Sequence, residues 1–313
     1  MTDNASEKLD FDNVERPTPA ELTAQLVDLL TVEKIDNDKF RGRPQVDGIG
    51  RVFGGQVIAQ GLQAAQASIG DGKVAHSLHA YFLRGGEEGP PIDYAIARDF
   101  DGRSFANRRA VASQDGTPIL NLTASFQTPE EGLAHENMPF PHVADPETLK
   151  SDYQLRREIF ADKLHLMSEG QRRFMVRPRP IEMRPTEGLH WMSTTPREPK
   201  SQTWFKTVGK LPDDPALHRA IIAYASDYTL LGTAAIAHGL SWMRGELVGA
   251  SLDHAIWFHA PARADEWLLY DTDSPWSGNG RGYNRGRIFT EGGTLVASVA
   301  QEGMMRKRRS KSN

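Results

Sequence analysis

The segment NRRAVASQDGT (Asn107 to Thr117) returns 177 residues later as NRGRIFTEGGT (Asn284 to Thr294). Each copy starts with Asn-Arg, alternates in polarity and reaches a turn ending in Gly-Thr, the pattern of two strands joined by a tight hairpin. Upstream, HAYF at His79 is echoed by HAIWF at His254, 175 residues on. Further upstream, FGGQVIAQGLQAA (Phe53 to Ala65) matches YASDYTLLGTAA (Tyr224 to Ala235), which sets Gln56 against Asp227 at an offset of 171. Three matches in one order with slowly drifting offsets mark a duplicated unit. The alternative is two unrelated α+β segments.

Each copy reads as a small-residue helix followed by antiparallel strands. In the first helix Val57, Ile58, Gly61, Leu62 and Ala65 share a face, and its glycine and alanines let a sheet approach the backbone closely. The order predicts a long helix wrapped by a curved antiparallel sheet, twice in one chain. Before the first copy, Thr18, Pro19 and Glu21 form a capping box with proline at the first helical position. Leu22, Leu26, Leu29 and Leu30 then mark an apolar face. Between the copies, Glu136 to Pro196 is rich in Pro, Arg and charge and reads as a crossover, with one helical stretch around Tyr153 to Glu169. The expected layout is a flexible tail (1–17), a first unit (18–135), the crossover (136–196), a second unit (197–304) and a basic tail (305–313).

Composition narrows the function classes. The 313 residues are 39% hydrophobic and 25% charged, as in a globular protein with a real core. A net charge of −4 gives no reason to expect nucleic acid or an anionic membrane as the main partner. Cysteine is absent, which rules out disulfides and thiolate chemistry and fits a reducing compartment. The first 20 residues hold no apolar run of a secretory signal, and no run elsewhere is long enough for a membrane span. The C-terminal KSN is not the SKL peroxisomal address. The expectation is a cytoplasmic protein without membrane insertion.

A repeat keeps its core positions for packing, so differences between copies locate what packing does not explain. Asp227 in the second copy stands where the first has Gln56, and Gln301 stands where the first has Ala124. Ser251 and Asp253 precede HAIWF in the second copy. Each has a plain reading: Asp227 as a helix N-cap, Ser251 bonded to a nearby carbonyl, Gln301 at a strand end. Together, a carboxylate, a hydroxyl and an amide hold one water in a fixed orientation and activate it without a covalent intermediate. Asp253 is the competing carboxylate. Other chemistries lack their motifs: there is no G-x-S-x-G elbow and no P-loop, and GNGRGYNR lacks the last glycine of a dinucleotide fingerprint. His254 and His259 are five apart on an expected strand and point to opposite faces, which excludes a shared metal. His79 and His254 read as structural.

At these residues the chain resembles the acyl-CoA thioesterase II family. The matching segments are VFGGQVIAQGLQAA, HSLHAYFLRGG, GRSFANRRAVASQDGTPILNLTASFQ, AYASDYTLLG, LDHAIWFH, EWLLYDTDSP and GRGYNRGRIFTEGGTLVASVAQEGMMR. The resemblance implies an α+β double hotdog fold and hydrolysis of acyl-CoA to fatty acid and CoA, with no metal or cofactor. The family's catalytic set, an Asp, a Thr or Ser and a Gln that orient water, falls on Asp227, Ser251 and Gln301. Backbone N–H groups at the start of a helix headed by Asp227 are the expected oxyanion donors. Tyr228, Leu230 and Leu231 are the expected acyl-slot residues, and Arg306 and Lys307 the expected cations for the CoA phosphates. A homo-oligomer is expected. The rival readings are a non-catalytic acyl-CoA-binding hotdog protein and a hotdog hydratase or dehydratase, which requires an essential His79 or His254.

Overall fold

The computed structural model describes residues 9–45, 50–70, 72–192, 194–242 and 244–308; the end of the basic tail, 309–313, lies outside them. Helix α1 (Pro19–Leu30) starts at the capping box, where Thr18 and Glu21 exchange side-chain and backbone bonds, and it buries Leu26 and Leu30. Strands β1 (Val32–Asp36) and β2 (Lys39–Gly42) lead to α2 (Gly54–Ala67), whose Ile58, Ala64 and Ala65 are completely buried. Four strands follow: β3 (Val74–Phe82), β4 (Ile92–Asp101), β5 (Phe105–Gln114) and β6 (Thr117–Gln127).

The crossover is more ordered than its composition predicts. Its helical stretch divides into α3 (Asp152–Phe160), a 3-10 turn (Ala161–Leu166) and α4 (Glu169–Val176). The division falls at Ser168, which caps α4 and forms a capping box with Gln171, as Ser151 does with Gln154 at the start of α3. Phe160, Leu164, Met175 and Val176 build a small core of their own, to which Phe11 adds its ring at 2% exposure. Part of the segment expected as a flexible tail is thus fastened to the crossover. Strand β7 (Ile181–Pro185) also lies within the expected crossover, yet it pairs with β8 (Lys200–Thr207) and so joins the strands of the second unit.

The second unit continues with α5 (Pro215–Ser226), α6 (Leu230–Ile236), β9 (Leu247–Ser251), β10 (Asp253–Phe258), β11 (Leu268–Gly278), β12 (Arg281–Thr290) and β13 (Leu295–Lys307). Among the described residues the strands make one antiparallel sheet in the order β1-β2-β4-β5-β6-β3-β10-β13-β12-β11-β8-β7, with β9 beside β13. The units join through β3 and β10, the strands carrying HAYF and HAIWF, so this is the α+β double hotdog architecture. Leu78 faces Ile256 across the join, and Ala80 faces His254.

The ladder corrects the letter-by-letter match between copies. Successive side chains of a strand point to opposite faces. Leu78 and Ala80 are buried on β3, as His254 and Ile256 are on β10, whereas His79 and Ala255 are not. His254 therefore corresponds to Leu78, one residue before His79. His79 itself lies exposed, edge-on to Trp257 at 4.9 Å between ring centres. Likewise buried Asn284 corresponds to buried Arg108 rather than to Asn107.

Candidate active site

The apolar stretch from Ile221 to Gly239 reads as one helix but forms two. The Ser226 carbonyl accepts a hydrogen bond from Tyr270 Oη at 2.9 Å, and Ser226 Oγ donates to Ala223 O at 2.9 Å. With that carbonyl engaged from β11, the helix stops. Asp227 becomes the C-cap of α5, at φ −87° and ψ −5°, not an N-cap. The expected oxyanion donors at the head of an Asp227 helix are accordingly absent, because the next helix starts only at Leu230.

What faces Asp227 is the start of the other unit's helix. The N-cap of α2 is Phe53, which offers no side-chain acceptor, so the first N–H groups of α2 are left to neighbours. A Cβ on Gly54 would lie 2.7 Å from Asp227 Oδ2, and one on Gly55 would lie 2.4 Å from Tyr224 O. Only glycines allow the start of α2 to come this close to the end of α5. An acid at a helix C-terminus is disfavoured by the dipole, and the positive end of α2 compensates.

Burial dominates the electrostatics of Asp227: it lifts the carboxyl from 3.8 to about 6, against the bond from Gln301 and the Gly55 N–H. Its side chain is only 6% exposed. Gln301, wholly buried on β13, donates from Nε2 to Asp227 Oδ1 at 2.7 Å and approaches His254 Nδ1 at 3.1 Å. Gln301 Oε1 is buried and unpartnered among the described residues. His254 Nε2 meets Ser226 Oγ at 2.9 Å. Burial pushes this imidazole down to about 3, so it is neutral in the working range. The 3.9 Å approach of His254 Nδ1 to Asp227 Oδ1 is therefore no ion pair.

A cavity of about 530 Å³ opens against this cluster. Asp227 and Ser251 both line it, while Gln301 sits behind Asp227. Ser251 ends β9 just before the chain bends at Leu252 into β10. The rival carboxylate Asp253 is turned away: its Oδ1 accepts the Glu302 N–H at 2.6 Å and holds β10 to β13. Of the expected acyl-slot residues, Tyr228 and Leu231 line the cavity and Leu230 does not, being fully buried in the main core. Phe53, Tyr224 and Tyr228 form an aromatic wall, with Phe53 edge-on to Tyr224 at 5.1 Å between centres.

Arg306 and Lys307 are exposed at the end of β13, opposite Val248 and Leu247, and off the cavity lining. Sequence proximity to Gln301 misleads here, because a strand carries its end about 3.3 Å further away with each residue. Arg51, Arg173, Arg177 and Arg179 line the cavity instead. Three of them come from the RRFMVRPRP run of the crossover, whose arginine content was the available signal. Arg179 is held by Asp152 at 3.3 Å and covers the Phe174 ring at 4.7 Å. A second cavity, about 570 Å³ around Asp213, His218 and Arg263, contains none of the candidate residues. Among the described residues, no three His, Asp or Glu side chains form a metal-ligand group, and no helix is long and apolar enough to cross a membrane.

Comparison with known proteins identifies the family. Residues 43–127 match the family profile described as the acyl-CoA thioesterase N-terminal domain, and residues 161–305 that of the C-terminal domain. The chain is 37% identical to human acyl-coenzyme A thioesterase 8, covering 92% of this chain and 91% of that protein. It is 34% identical to acyl-CoA thioesterase 2 of Haemophilus influenzae, covering 92% and 99%. The crystal structure of an acyl-CoA thioesterase II, TesB2, from Mycobacterium marinum superposes with a TM-score of 0.72 at 36% identity, over 90% of this chain and 98% of that one. A hotdog-fold protein of unknown function from Alicyclobacillus acidocaldarius superposes at 0.73 with 16% identity, over 91% and 99%, a likeness of fold.

Proposed function

The chain belongs to the acyl-CoA thioesterase family and hydrolyses acyl-CoA, and on that premise we propose that Asp227, Ser251 and Gln301 activate the hydrolytic water. The observation that carries the proposal is the 2.7 Å bond from buried Gln301 to a cavity-lining carboxylate held at about 6. Both Nε2 hydrogens of Gln301 have acceptors, so its remaining polar atom is Oε1. That atom is closed off behind Asp227, so Gln301 holds the carboxylate in place from behind while a water in the cavity donates a hydrogen to it. Ser251 Oγ–H donates to one lone pair of the water, and the other lone pair attacks the thioester carbonyl. Asp227 takes the proton as the C–O bond forms; collapse of the tetrahedral intermediate then breaks the C–S bond and expels CoA thiolate, which receives that proton from Asp227 and so restores the carboxylate. At the start of α2 the Gly55 N–H is taken by Asp227 and those of Gln56 and Val57 by Phe53 O, so the Gly54 N–H is the donor for the developing oxyanion. Serine retains the hydroxyl that a threonine would present.

The acyl chain lies along Phe53, Tyr224, Tyr228 and Leu231. The CoA phosphates meet Arg51, Arg173, Arg177 and Arg179, whose planar groups suit phosphate oxygens. The hydratase reading finds less support, since neither His79 nor His254 lines the cavity. A non-catalytic binder needs no lifted carboxylate. Exposed Tyr81 and Trp257 on the outer face of the β3–β10 join favour a homo-oligomer, to be measured by light scattering. A chain without cysteine suits a cytoplasmic setting, to be tested by cell fractionation.

The decisive test is thiol release across a series of acyl-CoA chain lengths, with Asp227→Ala and Gln301→Ala alongside. Turnover should fall about 100-fold or more in each variant with the fold retained. Near-native turnover in either would sink the assignment.

A further inference from the structure

Gln301 works only with its amide the right way round. Nε2 lies between two acceptors, Asp227 Oδ1 at 2.7 Å and His254 Nδ1 at 3.1 Å, which are themselves 3.9 Å apart. Each takes one hydrogen of the amide, and Oε1 is left on the other side. With the amide reversed, Oε1 would face a carboxylate oxygen and an imidazole lone pair together. For Nδ1 to accept, the imidazole hydrogen must sit on Nε2, which donates to Ser226 Oγ at 2.9 Å. Ser226 in turn gives its hydrogen to Ala223 O at 2.9 Å, a backbone carbonyl that can only accept. The direction of every bond is thereby fixed from that carbonyl to Asp227. The first unit has none of this: Leu78 and Ala124 face each other where the second has His254 and Gln301.

We infer that His254 is a positioning residue for the hydrolysis: with Ser226 it locks the Gln301 amide so that the NH2, and not Oε1, is turned to Asp227 and holds that carboxylate for the attacking water. The inference rests on the assignment of Gln301 to the catalytic set, and the experiment separates the two. His254→Leu, which copies the first unit's residue, and Ser226→Ala are measured alone and combined with Gln301→Ala, by thiol release from a fatty acyl-CoA.

His254→Leu should lower kcat about 10- to 100-fold with KM within about twofold, in the range of a lost supporting bond to a catalytic group. Ser226→Ala, a change of one oxygen that retains the helix, should fall by a smaller factor in the same direction. Each should cost nothing further in the Gln301→Ala background, because the group it orients is gone. Nitrogen NMR should find Nδ1 of His254 unprotonated throughout the active pH range. An unchanged kcat in the folded single variants, losses that multiply with Gln301→Ala, or a hydrogen on Nδ1 each overturn the inference. Full activity of Gln301→Ala overturns the underlying assignment instead.

Discussion

Asp227 is buried, and it sits at the negative end of α5, so two features of its surroundings oppose its charge. The native carboxyl at about 6 binds its proton more tightly than the unfolded one at 3.8. The resulting penalty is absent below the unfolded value, grows between the two and is complete above 6, where it amounts to about 3 kcal/mol. Asp227→Asn should therefore unfold at higher denaturant concentration than the parent near pH 8, and the gain should vanish near pH 3.5; equal shifts at both pH values would contradict this origin. Catalysis runs the other way, since only the carboxylate accepts the water's proton: kcat/KM should fall as pH drops through about 6. Asp227 and Gln301 were legible because a carboxylate and an amide stand where the sequence match sets Gln56 and Ala124. His254 was not, because the shared HA in both copies drew it onto His79. Which face a strand residue occupies is settled by the ladder, and one inserted residue reverses it.

At the scale of elements, the site depends on two helix ends meeting. Gly54→Ala would push a methyl to 2.7 Å from Asp227 Oδ2, so activity should drop while the fold persists, because the carboxylate is a side chain that can turn aside. Gly55→Ala meets Tyr224 O at 2.4 Å, a backbone atom in a buried helix, and should destabilise by about 1–3 kcal/mol. Thermal melts with thiol-release rates separate the two outcomes. The helix α2 could be read from FGGQVIAQGLQAA, where small residues recur at helical spacing. The break between α5 and α6 could not, since it is imposed by Tyr270 from a strand more than forty positions later. The second start signal at Ser168 was readable as S-E-G-Q, yet charge across the whole stretch from Tyr153 concealed it.

For the whole molecule, the order of units was legible from the repeat, whereas the joining of their sheets into one was not, because no letter records that β3 finds β10. The cations of the cavity mouth were misplaced for a related reason: Arg173, Arg177 and Arg179 are brought there by the crossover's own small core. Arg177→Ala with Arg179→Ala should raise KM and weaken its dependence on salt, while Arg306→Ala with Lys307→Ala should leave KM unchanged. Equal effects of the two pairs would return the phosphates to the end of β13. A duplicated chain with one polar cluster has a further consequence for how it tolerates change. The second unit holds the reacting groups, and the first contributes a helix end, the Phe53 ring and Arg51. Polymorphism should therefore be lopsided: a saturation library selected for hydrolysis should accept diverse letters at Gln56, Leu78 and Ala124 provided they pack, yet almost none at Asp227, His254 and Gln301. The first half has become a scaffold, held to its letters chiefly at Arg51, Phe53 and the two glycines at the start of α2.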